Sequence, residues 1–159
     1  MNDSVKVFEQ CVDVVGEEFP APIGKLLGLT IIRSGIGRAT VEFEATGRYA
    51  NPMGTLHGGV LCDIADAAMG VAYHNTLAEG ETFTTIELKI NFLRPVRKAK
   101  LRAEAKVVRA GKTVALLECD IVDERQRLVA RASSTCMTLR GRLAEAASSQ
   151  ENQLDKLKR

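Results

Sequence analysis

Tryptophan is absent and aromatic residues make up only 4% of the chain. Nucleic-acid bases would find few rings to stack on, so single-stranded nucleic-acid binding is disfavoured. Histidine is nearly as scarce. Neither of the two, His57 and His74, stands at a metal-ligand spacing from a cysteine, and the four cysteines contain no Cys-x-x-Cys pair. The sequence therefore predicts no metal site, and Cys11, Cys62, Cys119 and Cys136 read as free, reduced thiols. No apolar run approaches the ~18 residues of a membrane span. The start, Met-Asn-Asp-Ser-Val-Lys, lacks a basic stretch followed by an apolar one. Both absences predict a cytoplasmic protein without a membrane partner. A charge bias is missing too: 22 Lys plus Arg against 20 Asp plus Glu leave +2, which points to no polyanionic partner and no nucleic acid.

What the chain does have is length and aliphatic content. Its 159 residues, 45% of them hydrophobic, suit one domain with an aliphatic core. Val5, Phe8, Val12 and Val15 recur at helical spacing behind Asp3 and Ser4, which predicts a short N-terminal helix closed by Pro20 and Pro22. A turn around residues 24–28 follows. Leu29 to Arg33 and the alternating Ala39, Val41, Phe43 and Ala45 read as a hairpin turning at Gly35 and Gly37. A loop over residues 47–56 leads into His57-Gly58-Gly59 and a long helix to about Leu77. Beyond it, residues 82–93, 101–109, 113–122 and 128–139 have strand character with short connections, which predicts an antiparallel meander. The expected architecture is α+β, a sheet curled around one helix. Its parts are an N-terminal helix and turn (1–24), the main domain (25–140) and a polar tail (141–159) that is a frayed helix or disordered.

The long helix is the informative element. At ~100° per residue, Val60, Leu61, Ile64, Ala65, Ala67, Ala68, Val71 and Ala72 form one stripe, with Asp66 almost opposite. From Gly58 to Tyr73 the only charged residues are Asp63 and Asp66, whereas a solvated face would carry many more. The second face is therefore expected to be covered by another part of the chain or by another subunit. A carboxylate there serves either as a partner in a structural contact or as a chemical group. Gly58 and Gly59, at the helix start, present unpaired N–H groups and the positive end of the helix dipole to an incoming carbonyl oxygen. Oxyanion donors with one carboxylate, and no histidine dyad, suit hydrolysis of a thioester. Its thiol leaves with a pKa near ~8.5 and needs little acid help.

The stretch Asn51-Pro-Met-Gly-Thr-Leu-His57-Gly58-Gly59-Val-Leu-Cys-Asp-Ile-Ala-Asp66, followed by Thr85-Ile-Glu-Leu-Lys-Ile-Asn-Phe-Leu-Arg94-Pro95, resembles the hotdog-fold acyl-CoA thioesterases. The resemblance is to their phenylacetic-acid-degradation (PaaI) type and the related 4-hydroxybenzoyl-CoA thioesterases, and it spans about residues 25–140. It implies a hotdog fold, subunits joined sheet edge to sheet edge as a homodimer or homotetramer, and active sites between subunits. It further implies that Asp66 acts as nucleophile or general base, and that the N–H of Gly58, with Gly59, polarises the thioester carbonyl. Asn51 would orient water or substrate, Thr85 would hold the water, and His57 would be structural or carbonyl-adjacent. Strand parity puts Thr85 with Glu87 and Lys89 rather than with Leu88 and Ile90. Coenzyme A is then part of the substrate, and no separate cofactor is expected. Its phosphates need cations or backbone nests. Arg94, Arg97, Lys98 and the turn Arg109-Ala-Gly111-Lys112 are the candidates, with the turn preferred. A non-catalytic acyl-CoA sensor and a hotdog hydratase or dehydratase using His57 are the alternatives.

Overall fold

Ala39, Val41, Phe43 and Ala45 alternate along strand β3 (Arg38–Ala45), and all four are buried. The same period of two buries Leu101, Ala103 and Ala105 of β5 (Ala99–Ala110) and Ala115, Leu117, Cys119 and Ile121 of β6 (Val114–Asp123). On β7 (Leu128–Leu139) it buries Ala130, Ala132, Ser134, Cys136 and Thr138. The small side chains on β5 and β7 let the sheet wrap the long helix α2 (Gly58–His74) closely, against its own Ala65, Ala68 and Ala72. The structure is a computed structural model that describes residues 11–147, with side chains from residue 16 onward.

Among the described residues one antiparallel sheet of seven strands runs in the order β1-β2-β3-β5-β6-β7-β4, where β1 is Cys11–Glu18, β2 Thr30–Gly35 and β4 Thr82–Phe92. The α+β expectation holds: the sheet curls around α2. The meander is only partly right. Strands β5, β6 and β7 follow one another, but β4 pairs with β7 at the far edge and the chain returns through residues 93–98 to β5. Among the described residues no strand pairs with the other edge of β4.

Three further expectations need correction. Residues 11–18 form β1 on the edge of β2, not the end of a helix; the earlier part of the expected helix lies outside the described residues. Three valines within four residues favour the extended backbone, and Gly16, at φ 52°, takes up the register shift between Asp13 and Glu17. Pro22 opens a short helix α1 (Pro22–Leu27) instead of closing one, because proline suits the first helical turn, and Gly28 at φ 71° ends it. Finally, Met69 and Tyr73 are buried while Val60, Ala67 and Val71 are only partly so, which rotates the core stripe of α2 by roughly 70° from the expected one. Tyr73 can turn inward because its hydroxyl shares a 2.6 Å hydrogen bond with the Thr138 hydroxyl. The rotation leaves Asp63, Asp66, Ala67, Gly70 and His74 on the face away from the sheet. In the tail, residues 142–147 are helical and later ones lie outside the described residues. Among the described residues no helix is long and apolar enough to cross a membrane.

Candidate active site

A loop tied down on both sides delivers the start of α2. The His57 N–H donates to the Tyr49 carbonyl at 2.9 Å, and the Leu56 N–H to the Val96 carbonyl at 2.7 Å. His57 caps the helix: its Nδ1 accepts the Gly59 N–H at 3.0 Å. That bond requires a lone pair on Nδ1, so the imidazole is occupied as an acceptor and Gly59's donor is used. The Gly58 N–H has no partner among the described residues and is the donor left at the positive end of the helix. A side chain at Gly58 would place its Cβ 2.8 Å from the tip of the exposed Phe92 ring. Phe92 therefore packs directly beside this donor, a neighbour that no sequence signal indicated.

Asp66 lies two turns further along α2, and its Oδ1 accepts a 3.0 Å hydrogen bond from the Thr85 hydroxyl. Strand parity grouped Thr85 with Glu87 and Lys89, and the structure separates them. The register shifts between Thr85 and Glu87, a bulge at Ile86, so Thr85 pairs with the buried Cys136 and faces the helix together with Phe83 and Leu88. Ser134, 1% exposed, donates to the Glu87 carbonyl at 2.9 Å and holds the bulge. Bulges of this kind re-aim side chains beside active sites.

Asn51 is placed differently. Its Nδ2 donates to the Thr55 hydroxyl at 2.9 Å, and its Oδ1 accepts the N–H groups of Met53 and Thr55, so its side chain shapes the loop before the helix. The cation candidates fall into two groups. Arg94, Arg97 and Lys98 lie on the crossover beside the helix start, where Arg97 reaches the Gly54 carbonyl at 3.4 Å. Arg109, Gly111 and Lys112 form the β5–β6 turn, at the far end of β5, whose twelve residues span about 40 Å. Within one chain the two groups are not brought together, and the preferred turn is the one remote from Gly58. Among the described residues no three His, Cys, Asp or Glu side chains stand close enough to share a cation.

Asp63, one turn before Asp66, received no role from the sequence. It shares with Asp66 the wall of an apolar cleft of about 580 Å³ between α2 and residues 17–31. Partial burial, and then the Asp66 carboxylate, hold its pKa above the usual aspartate value. The Cys62 thiol is likewise pushed up by burial and then by Asp63 and Asp66, which keeps it protonated and a poor nucleophile. Because the folded state raises the Asp63 pKa, ionising that carboxyl costs stability as pH rises through its folded value. We expect Asp63→Asn to raise the melting temperature at pH 7. The gain should vanish below about pH 3.9, where Asp63 is protonated in both states, as melting curves across pH will show.

A long helix wrapped by a curved antiparallel sheet, with a free glycine N–H at its start and a carboxylate two turns on, defines a hotdog protein with the parts for carbonyl chemistry. Comparison with known proteins agrees. The sequence pattern of the thioesterase superfamily matches residues 53–130. The medium/long-chain acyl-CoA thioesterase YigI of Salmonella typhimurium is 31% identical, over 84% of this chain and 97% of that protein. The PaaI protein from the phenylacetic acid degradation operon of Escherichia coli superposes with a TM-score of 0.72 at 29% identity, covering 77% of this chain and 87% of that one. A Haemophilus influenzae thioesterase gives a TM-score of 0.72 at 27% identity over 76% of this chain and 85% of its own. The chain belongs to the thioesterase superfamily and carries its hotdog fold.

Proposed function

We propose that the protein hydrolyses an aryl- or medium-chain acyl-CoA to the free acid and coenzyme A, in sites that each draw on two chains. The separation along α2 carries this reading. Eight residues at 1.5 Å rise put the backbone positions of Gly58 and Asp66 about 12 Å apart along the helix axis, too far for the two groups to serve one carbonyl. A second copy supplies the missing half. Strand β4 has eleven residues with an open edge, and Ile86 and Phe92 are more than half exposed on it. Such an edge is a template for pairing. Two β4 edges in antiparallel register place the start of one strand beside the end of the other. The two α2 helices then run in opposite directions, so that Gly58 of each chain meets Asp66 of its partner. The same arrangement moves each chain's Arg109–Lys112 turn toward the other chain's Arg94 and Arg97, where both groups can serve the phosphates of one coenzyme A.

In this site the Gly58 N–H and the helix dipole stabilise the oxyanion as the carbonyl carbon is attacked. Thr85 fixes Asp66 through Oδ1 and leaves Oδ2 to act. Either Oδ2 takes a proton from the attacking water, or it attacks and forms an anhydride that water opens. Collapse of the adduct breaks the C–S bond, and coenzyme A leaves as a thiolate that needs no acid beside it. Thiol release from a panel of aryl- and straight-chain acyl-CoAs tests the reading. Turnover that depends on Asp66 upholds it; tight acyl-CoA binding without thiol release would make the protein a sensor instead.

A further inference from the structure

The cleft beside Asp66 runs along α2, and its walls change character from one end to the other. Ala67, Gly70 and Val71 form its floor, and Phe19, Ile23 and Leu27 of the N-terminal segment form the opposite wall. At one end Asp66 lines the cleft one turn in from Asp63, and the Asp63 and Glu17 carboxylates make that end acidic. At the other, the lining turns polar with His74, Asn75 and Ser34. The Asn75 amide donates to Ser34 Oγ at 2.8 Å and to the Gly35 carbonyl at 3.1 Å, which ties the end of the helix to β2 and closes that end. The volume of about 580 Å³ is in the range of small-ligand sites.

We infer that this cleft holds the acyl tail of the substrate and measures its length, with Gly70 as the open position of its floor and His74, Asn75 and Ser34 as its end. The inference rests on the acyl-CoA reading above and specifies its substrate as a straight-chain acyl group of medium length. Continuity with Asp66 puts the carbonyl beside that carboxylate, and the tail runs from there along Ala67, Gly70 and Val71 toward His74. Eight residues of helix separate Asp66 from His74, about 12 Å. An extended chain advances about 1.2 Å per bond, so about ten carbons fit before the tail reaches the polar end. A longer tail would press methylenes against His74, Asn75 and Ser34 and strip their water without giving a hydrogen bond. Gly70 keeps the floor open. A Cβ there would rest 3.4 Å from the Phe83 ring, an ordinary contact, so a larger side chain has the cleft as its way out. Phe83 is itself held edge-on against Tyr73 at 5.4 Å, which fixes that wall.

The test is the chain-length profile of kcat/KM for straight-chain acyl-CoAs in wild type, Gly70→Leu and His74→Leu, with circular dichroism and sizing on each. We expect a wild-type optimum near decanoyl-CoA. In Gly70→Leu the ratio of kcat/KM for decanoyl- over butanoyl-CoA should fall at least about tenfold, the effect of a few displaced methylenes. In the exposed His74→Leu the optimum should move to longer chains. Folded variants that both keep the wild-type profile would overturn the inference. So would a Gly70→Leu protein that loses stability or its assembly while its profile stays put, because the cleft would then hold a segment of protein. Absence of turnover in wild type removes the hydrolase reading alone. Calorimetry with non-hydrolysable acyl-thioether analogues then decides the cleft by whether Gly70→Leu abolishes the preference for the longer tail.

Discussion

Asp66→Asn is expected to lower kcat by about 10²- to 10⁴-fold, the range for a single proton-transferring group, while KM for the preferred acyl-CoA changes by less than about threefold. Asparagine keeps the shape of the side chain, and its carbonyl oxygen can still accept the 3.0 Å bond that Thr85 donates to Asp66. What it loses is the ability to accept a proton or to attack. Steady-state kinetics of thiol release measure both parameters. A KM that rises while kcat holds would mean that Asp66 only binds. Thr85→Val provides the contrast: it removes one hydrogen bond that positions the carboxylate, and the cost should be about tenfold in kcat. A Thr85→Val loss as large as that of Asp66→Asn would move the chemistry from the carboxylate to the hydroxyl.

The parts of this site that depend on local pattern were legible in the sequence. Alternation along residues 39–45 and helical spacing after His57 fixed the faces of β3 and, to within a rotation, of α2. The glycine pair and Asp66 were visible because a helix without lysine, arginine or glutamate along its outer face is unusual. Long-range partners were not legible. Val12 and Val15 fit a helical stripe as well as a strand, and only the free edge of β2 decides for the strand. The pairing of β4 with β7 rather than β5 depends on a crossover that no turn residue announces. The bulge at Ile86 carries no glycine to mark it, yet it is what turns Thr85 toward Asp66. Gly59 is not left as a second donor beside Gly58 for a side-chain reason, because His57 Nδ1 takes up its N–H. The rotation of α2 depends on whether Tyr73 finds a buried partner, and Thr138, far along the chain on β7, provides it.

The composite site predicts that two inactive chains can restore each other. Gly58→Val adds a side chain beside the oxyanion donor, and its Cβ meets the tip of the Phe92 ring at 2.8 Å, so circular dichroism and sizing first establish that the variant folds and pairs. The paired variant should lose roughly 10²- to 10³-fold in kcat, the size of one oxyanion donor's effect, because the added side chain keeps the carbonyl away from an N–H that is itself retained. Asp66→Asn is inactive for its own reason. In a two-fold pair made of one chain of each kind, one site combines both substitutions, and the other has wild-type Gly58 and wild-type Asp66. Random reassembly makes half of the pairs mixed, each with one intact site, so a mixture unfolded and refolded together should recover about a quarter of wild-type activity. The same two proteins refolded apart and then combined should stay near background until their chains exchange. A site contained within one chain gives no recovery under either protocol, because every chain then carries a disabling substitution in its own site. Recovery to a quarter, with KM unchanged from wild type, would place the Gly58 N–H and the Asp66 carboxylate of each working site on different chains.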